Sequence, residues 1–206
     1  MLETAGLQCM RGDRILFSGL DFKLATGECL HIKGPNGAGK TSLLRMLCGL
    51  VAPSEGEVRW DGQNIRKLSE EFNQHLLYIG HGAGIKADLS ALENLIMANK
   101  INGLALSEDD AWDALQKIGL RGREDLPTKV LSQGQKRRVA LARMLVNPSK
   151  LWILDEPFVA LDVEAVAMLE GVLDEHLARG GMIALTTHQD FKLPTGKLRT
   201  LLLEAS

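Results

Sequence analysis

Gly34-Pro35-Asn36-Gly37-Ala38-Gly39-Lys40-Thr41 has the spacing G-x-x-x-x-G-K-[ST] of a phosphate-binding loop. The chemistry asks for these residue types. Glycines let the backbone bend until several N–H groups face one phosphate chain. Lys40 would bring a positive charge to the β- and γ-phosphates, and the Thr41 hydroxyl would hold Mg²⁺. The alternative is a glycine-rich turn that happens to precede a helix. The flanks argue against it. Cys29-Leu30-His31-Ile32 is a short apolar strand before the loop, and Ser42-Leu43-Leu44-Arg45-Met46-Leu47-Cys48 is helical in pattern after it. Strand, loop and helix in that order place a helix N-terminus against the anion.

A second nucleotide signature lies far downstream, in Leu151-Trp152-Ile153-Leu154-Asp155-Glu156. Four apolar residues predict a strand buried in a parallel sheet. Two carboxylates follow at its C-terminal end, where open α/β sheets bind ligands. Asp155 would reach Mg²⁺ directly or through water, and Glu156 could act as general base toward the attacking water. Between the two signatures, Leu131-Ser132-Gln133-Gly134-Gln135 opens a helix and makes another anion site at a helix N-terminus. One answer to two such sites in one chain is that the second serves a nucleotide held by another copy. The basic run Lys136-Arg137-Arg138, interleaved with Val139, Leu141 and Leu145, reads as a solvated helix face rather than a nucleic-acid contact.

The rest of the chain reads as a soluble α/β protein. Its 206 residues suffice for one domain with a proper core, or one with a small lobe. Hydrophobic residues make up 45% and the net charge is −2, so no strong nucleic-acid field is implied. No apolar run approaches the roughly 20 residues of a membrane span, and the first residues lack a secretory signal pattern. A membrane role would then come through a partner. Cys9, Cys29 and Cys48 show no metal or redox spacing; Cys29 and Cys48 read as small core residues in a reducing compartment.

Residues 1–33 read as strands and turns, with Ile15–Phe17 and Leu20–Leu24 β-prone. Gly49 reads as a helix stop, Pro53–Gly56 as a turn, and Glu57–Trp60 as a strand closed by Asp61-Gly62. Leu76–Ile79 is another buried strand. It runs into the polar stretch Gly80-His81-Gly82-Ala83-Gly84. Ser90-Ala91-Leu92-Glu93 is a capping box before the stripe Leu92, Leu95, Ile96, and Ser107 starts a second helix with Trp112, Leu115 and Ile118 inward. Helices from about 135 to 145 and 164 to 178, and strands at 182–187 and 198–203, complete the pattern.

With these residues in order, the chain resembles the ATP-binding subunit of ABC transporters over nearly its whole length. The order is phosphate loop, Leu131–Gln135, Asp155-Glu156, Ala160-Leu161-Asp162 and His188. The resemblance implies an α/β P-loop NTPase fold: a mixed-sheet core with an antiparallel β subdomain (about 1–80 and 131–206 together) and a helical subdomain at about 83–130. It implies ATP and Mg²⁺ as cofactors. Gly34, Pro35, Asn36, Gly37, Ala38, Gly39, Lys40, Thr41 and Ser42 would bind ATP, with Thr41 and Asp155 at Mg²⁺ and Glu156, His188 and His81 at the reacting end. Two subunits would sandwich two ATP molecules. Ser132, Gly134, Gln135 and Asp162 would then serve ATP across a homodimer interface.

Two positions depart from that pattern. His81 stands where the family usually has Gln, and it reads as a ligand of Mg²⁺ or of water. Arg11 stands where an adenine-stacking aromatic is usual. It reads either as a guanidinium stacked on the base or as a surface turn residue. Together with Tyr78–His81, Leu151–Pro157 and Thr186–Gln189, these departures resemble the haem exporter ATP-binding subunit of bacterial cytochrome c biogenesis. That resemblance implies a peripheral position on the cytoplasmic face of the inner membrane, bound to integral membrane subunits. Hydrolysis there is tied to release of a haem-loaded chaperone. The membrane-facing surface is expected at His81–Leu92, and no Cys-x-x-Cys-His motif suggests direct haem binding. The rival reading, a soluble ABC ATPase acting on nucleic acid or ribosomes, usually has two ATPase domains or a long coiled-coil insertion.

Overall fold

The computed structural model describes residues 1–204. The expected mixture of strand directions is divided between two sheets. Strands β1 (Leu2–Arg11), β2 (Arg14–Leu24), β4 (Glu55–Trp60) and β5 (Gln63–Asn64) form an antiparallel sheet in the order β2-β1-β4-β5. Strands β3 (Glu28–Lys33), β6 (Leu76–Ile79), β7 (Leu151–Asp155), β8 (Met182–Thr186) and β9 (Lys197–Leu202) form a parallel sheet in the order β6-β7-β8-β3-β9.

The parallel sheet is covered on both faces, which is why its central strands are apolar throughout. All five residues of β7 and of β8 are buried. Alternate residues of β7 serve opposite cores. Leu151 and Ile153 pack with α1 (Lys40–Leu47) and the antiparallel sheet, while Trp152 and Leu154 pack with the larger helices on the other face. At the N-terminal end of β7, Trp152 stacks on His176 with ring centroids 3.6 Å apart. Neither Trp152 Nε1 nor His176 Nε2 has a hydrogen-bond partner among the described residues. Burial pulls the His176 pKa down to about 4.

Strand β1 was hard to read from sequence because its alternation breaks. Leu2, Thr4, Leu7 and Cys9 are buried, with a register shift between Thr4 and Leu7. Gly6 and Gly56 both take positive φ there, and a Cβ on Gly56 would lie 2.3 Å from the Gly6 carbonyl oxygen. Pairing with β1 thus begins at Glu55, inside the stretch expected to be a turn.

Helices α3 (Ala91–Ile101) and α4 (Glu108–Lys117) pack together and on α5 (Gln133–Val146). Ser90 makes the expected capping box, its Oγ accepting from Glu93 N (3.1 Å) while Ser90 N donates to Glu93 Oε2 (2.7 Å). The inward face of α4 differs from expectation at Trp112, which is only half-buried. Ala111, Ala114, Leu115 and Ile118 form the buried side. Those four positions recur at the three- and four-residue spacing of one helix face, and Trp112 stands beside that face. Short helix α2 (Ser69–Gln74) precedes β6, and α6 (Val163–Ala178) follows β7. No described helix is long and apolar enough to cross a membrane.

Candidate nucleotide site

The phosphate loop joins β3 to α1 at the C-terminal end of the parallel sheet. Gly34 has φ 154° and would need a Cβ 2.4 Å from the Leu203 carbonyl oxygen, so only glycine fits. Gly39, at φ 96°, begins α1 in the left-handed region with no side-chain cap on the helix. The first N–H groups of α1 are therefore left for the cleft they face. Lys40 Nζ donates to the carbonyls of Gly34 (2.8 Å) and Pro35 (3.2 Å), which holds the ammonium over the loop.

A cleft of about 560 Å³ opens in front of this helix. Asn36, Gly37, Gly39, Lys40, Thr41 and Ser42 of the loop and helix line it, together with His81, Asp155, Glu156 and His188. Arg11 and Leu16 also line it. Gly34, Pro35 and Ala38 do not line the cleft. Ala38 packs into the core and its N–H donates to the Pro35 carbonyl (3.2 Å).

Asp155 is 2% exposed, and both its carboxylate oxygens are committed. Thr41 Oγ1 donates to Oδ2 at 2.9 Å, and Thr186 Oγ1 donates to Oδ1 at 2.7 Å. Thr186 was missed in the sequence. It meets Asp155 because β7 and β8 pair in parallel register, Asp155 opposite Thr186. Thr41 and Asp155 offer a hydroxyl and a carboxylate side by side, hard oxygen donors that fit Mg²⁺. No group of three or more His, Cys, Asp or Glu is gathered for a metal among the described residues. Such a pair suits Mg²⁺ that takes its other ligands from phosphate and water.

Glu156 is held in a rare conformation. Its φ is 51°, costly for a residue with a side chain. Its N–H donates to the carbonyl and hydroxyl oxygens of Thr186, each at 3.1 Å. Its Oε1 lies 3.5 Å from Nε2 of the exposed His188. The segment leading to His188 is fixed from β3, where buried His31 Nε2 lies 3.1 Å from the Thr187 carbonyl.

One expectation is overturned at Arg137. The Lys136–Arg138 run does not form a uniformly solvated face, because Arg137 is 5% exposed. Its guanidinium turns inward onto backbone carbonyls at the ends of β6 and β7. Interleaved apolar residues could not reveal this, since the carbonyls come from distant strands.

Ser132, Gly134, Gln135 and Asp162 do not line the cleft. Ser132 is exposed and caps α5 with a full capping box: Gln135 N donates to its Oγ (3.2 Å), and its own N–H donates to Gln135 Oε1 (2.9 Å). Gly134 packs tightly, since a Cβ there would lie 2.6 Å from the Ala160 carbonyl oxygen. Asp162 caps α6 through Ala165 N (2.9 Å) and accepts from Arg138 Nη2 (2.6 Å).

The expected membrane-facing stretch His81–Leu92 is anchored in its second half. Asn94 Oδ1 accepts from Lys86 N (2.6 Å), and its amide donates to the carbonyls of Lys86, Leu89 and Ser90. Thr128 N and Lys129 N donate to the carbonyls of Leu89 and Ala87, each at 2.9 Å. Ile85 packs partly into the second core.

Comparison with known proteins agrees with this arrangement. The ABC transporter family model matches residues 17–159. The chain is 57% identical to the cytochrome c biogenesis ATP-binding export protein CcmA of Dechloromonas aromatica, across 98% of this chain and 100% of that one. It is 48% identical to the protein of the same name from Haemophilus influenzae, across 99% and 95%. The dimeric ATP-binding cassette MJ0796, solved in a post-hydrolysis state with ADP and Pi, superposes with a TM-score of 0.86 at 24% identity. That match covers 100% of this chain and 97% of the other. The fold, the cleft and these relatives lead to one conclusion: the chain belongs to the ABC transporter family, among its cytochrome c biogenesis ATP-binding export proteins.

Proposed function

We propose that the chain is the ATP-hydrolysing subunit of a membrane ABC complex of cytochrome c maturation, and that hydrolysis there drives release of a haem-loaded chaperone. The observation that carries the hydrolytic part is the convergence of Lys40, Thr41, Asp155, Glu156 and His188 on one cleft. In this reading the N–H groups of the loop, the start of α1 and Lys40 bind the phosphates. Thr41 and Asp155 would hold Mg²⁺, which would supply charge neutralisation on the transferred phosphate. Glu156 takes the proton of the attacking water, with the exposed His188 beside it to reach the γ-phosphate. His81, lining the same cleft, orients water through its imidazole, and Arg11 offers its guanidinium plane to adenine.

The same reading has two copies share each ATP. Ser132 remains able to serve a partner's phosphate while capping its own helix. A hydroxyl has one donor and two acceptor positions, and the cap uses an acceptor. Gly134 and Gln135 stand beside it at the helix N-terminus. Asp162, an anion already paired with Arg138, belongs at the subunit contact rather than on phosphate. The chain would work at the cytoplasmic face of the inner membrane, through integral membrane subunits that engage the His81–Leu92 stretch.

Two measurements test this. Phosphate release from ATP should need Mg²⁺ and should be lost with chelation. Purification of the chain from native membranes should bring down integral membrane subunits. Recovery of the chain without membrane partners, or intact turnover without Mg²⁺, would contradict the proposal.

A further inference from the structure

The guanidinium of Arg137, one turn into α5, touches five backbone carbonyls and, among the described residues, no carboxylate. Nη1 donates to Gly80 O at 2.8 Å and to His81 O at 3.5 Å. Nη2 donates to Asp155 O at 3.0 Å and to Glu156 O at 2.9 Å, and Nε to Pro157 O at 3.4 Å. Burial draws its pKa down, and the charges of Asp155 and Glu156 push it back up. A buried cation satisfied by carbonyl dipoles needs donors in a fixed plane, which guanidinium has and an ammonium lacks.

The strand ends it binds carry the reacting groups. Glu156 sits at φ 51°, a conformation that persists only when its surroundings hold it from both sides. Thr186 holds its N–H and Arg137 holds its carbonyl. The same guanidinium also holds the backbone at His81, which lines the same cleft. The helix that carries Arg137 begins at Ser132, and it meets the Ala160–Asp162 loop through Gly134 and Arg138.

We infer that Arg137 is a positioning residue for ATP hydrolysis: it sets the backbone at Glu156 and at Gly80-His81 from the helix that bears Ser132. A shift of α5 when Ser132 meets a partner's nucleotide then reaches the chain's own Glu156 without any contact between Arg137 and ATP. The inference rests on the reading of Glu156 as general base.

The test is a double-mutant cycle on ATP turnover by the full chain, with ATP affinity measured alongside. Arg137→Lys should keep ATP affinity within about twofold and lower kcat by ~10–100-fold, the scale of a misplaced reacting group. In a Glu156→Gln background the same substitution should lower the residual single-turnover rate by less than about threefold, because residues acting as one unit are not additive. An equal loss in both backgrounds, an unchanged kcat, or a loss of affinity that accounts for the whole effect would overturn the inference. If Arg137→Lys does not yield folded protein, Arg137→Gln is measured in the same cycle with the same outcomes. Parental turnover by Glu156→Gln alone would overturn the functional reading and this inference with it. A normal Glu156→Gln defect with an additive Arg137 effect overturns this inference alone.

Discussion

The two helix N-termini that the proposed function assigns to phosphate are finished in opposite ways. Helix α1 starts at Gly39 with no side-chain cap on it, so its first N–H groups are left to the cleft they face. Helix α5 starts at Ser132 with a complete capping box, so its end is satisfied within its own chain. The first is built to need an anion. The second is stable without one and keeps a hydroxyl proton to offer. An uncapped end suits a tight site in a single subunit, and a capped end suits an occasional contact between subunits.

That contrast can be broken most deeply at Glu156, which lines the cleft of the first end and is hydrogen-bonded to the helix of the second. Glu156→Gln should retain ATP and slow turnover by ~10²–10⁴, the usual scale for a lost general base. Calorimetry and phosphate release would separate the two effects, and normal turnover would remove Glu156 from the chemistry. Next comes Lys40→Ala, which strips charge from the α1 end. ATP affinity of the isolated chain should fall by ~10–100-fold, as expected for a lost charge-assisted hydrogen bond. An unchanged titration curve would contradict the assignment of α1 to binding.

Ser132→Ala strikes the α5 end and should leave the isolated chain's ATP affinity unchanged while turnover falls by roughly tenfold, a single hydrogen bond to a charged group. Ser132→Asp sharpens this. Aspartate is as good a cap as serine, but it sets a negative charge where phosphate would come. Recovery of turnover by Ser132→Asp would show that capping was its whole role. Mixing Lys40→Ala with Ser132→Ala subunits should restore activity, since each mixed pair contains one intact composite site. No restoration at any mixing ratio would mean that both helix ends act within one chain.

The smallest effect lies at the far end of β7, away from both helices. The His176 pKa lies at about 4 against an ordinary 6.5 because burial disfavours the imidazolium. Between those values the unfolded chain takes up a proton that the folded chain refuses. Stability is therefore full above pH 6.5 and is lost as pH falls toward 4. His31, also lowered by burial, acts in the same direction. His176→Phe should keep a ring over Trp152 and reduce the loss of urea midpoint between pH 7.5 and pH 5. Turnover per folded molecule at pH 7.5 should not change. An altered turnover would show that this end of the sheet reaches the nucleotide site.

How much was legible varies with how local each feature is. The phosphate loop and the run into Asp155-Glu156 were readable because a strand, its loop and the chemistry occupy consecutive residues. The capping box at Ser90 and the helix start at Ser107 sit where the sequence announces them; the box at Ser132 was not read, and α5 starts at Gln133, slightly before the expected helix. Strand β1 was hidden by its bulge, and α2 was too short and polar to show a period. Trp112 misled because apolar character alone does not put a residue on the buried face of a helix.

The sequence alone determined the α/β class, the phosphate-binding loop and the pair of carboxylates that follow β7. These depend on backbone freedom at glycine and on hydrophobic period, which neighbouring residues specify. The tertiary structure decided what lies across strands: Thr186 against Asp155, His31 under the His188 segment, and Arg137 turned inward rather than toward water. A buried guanidinium is tolerable only where several carbonyls converge on it, and that convergence exists only after distant strands have paired.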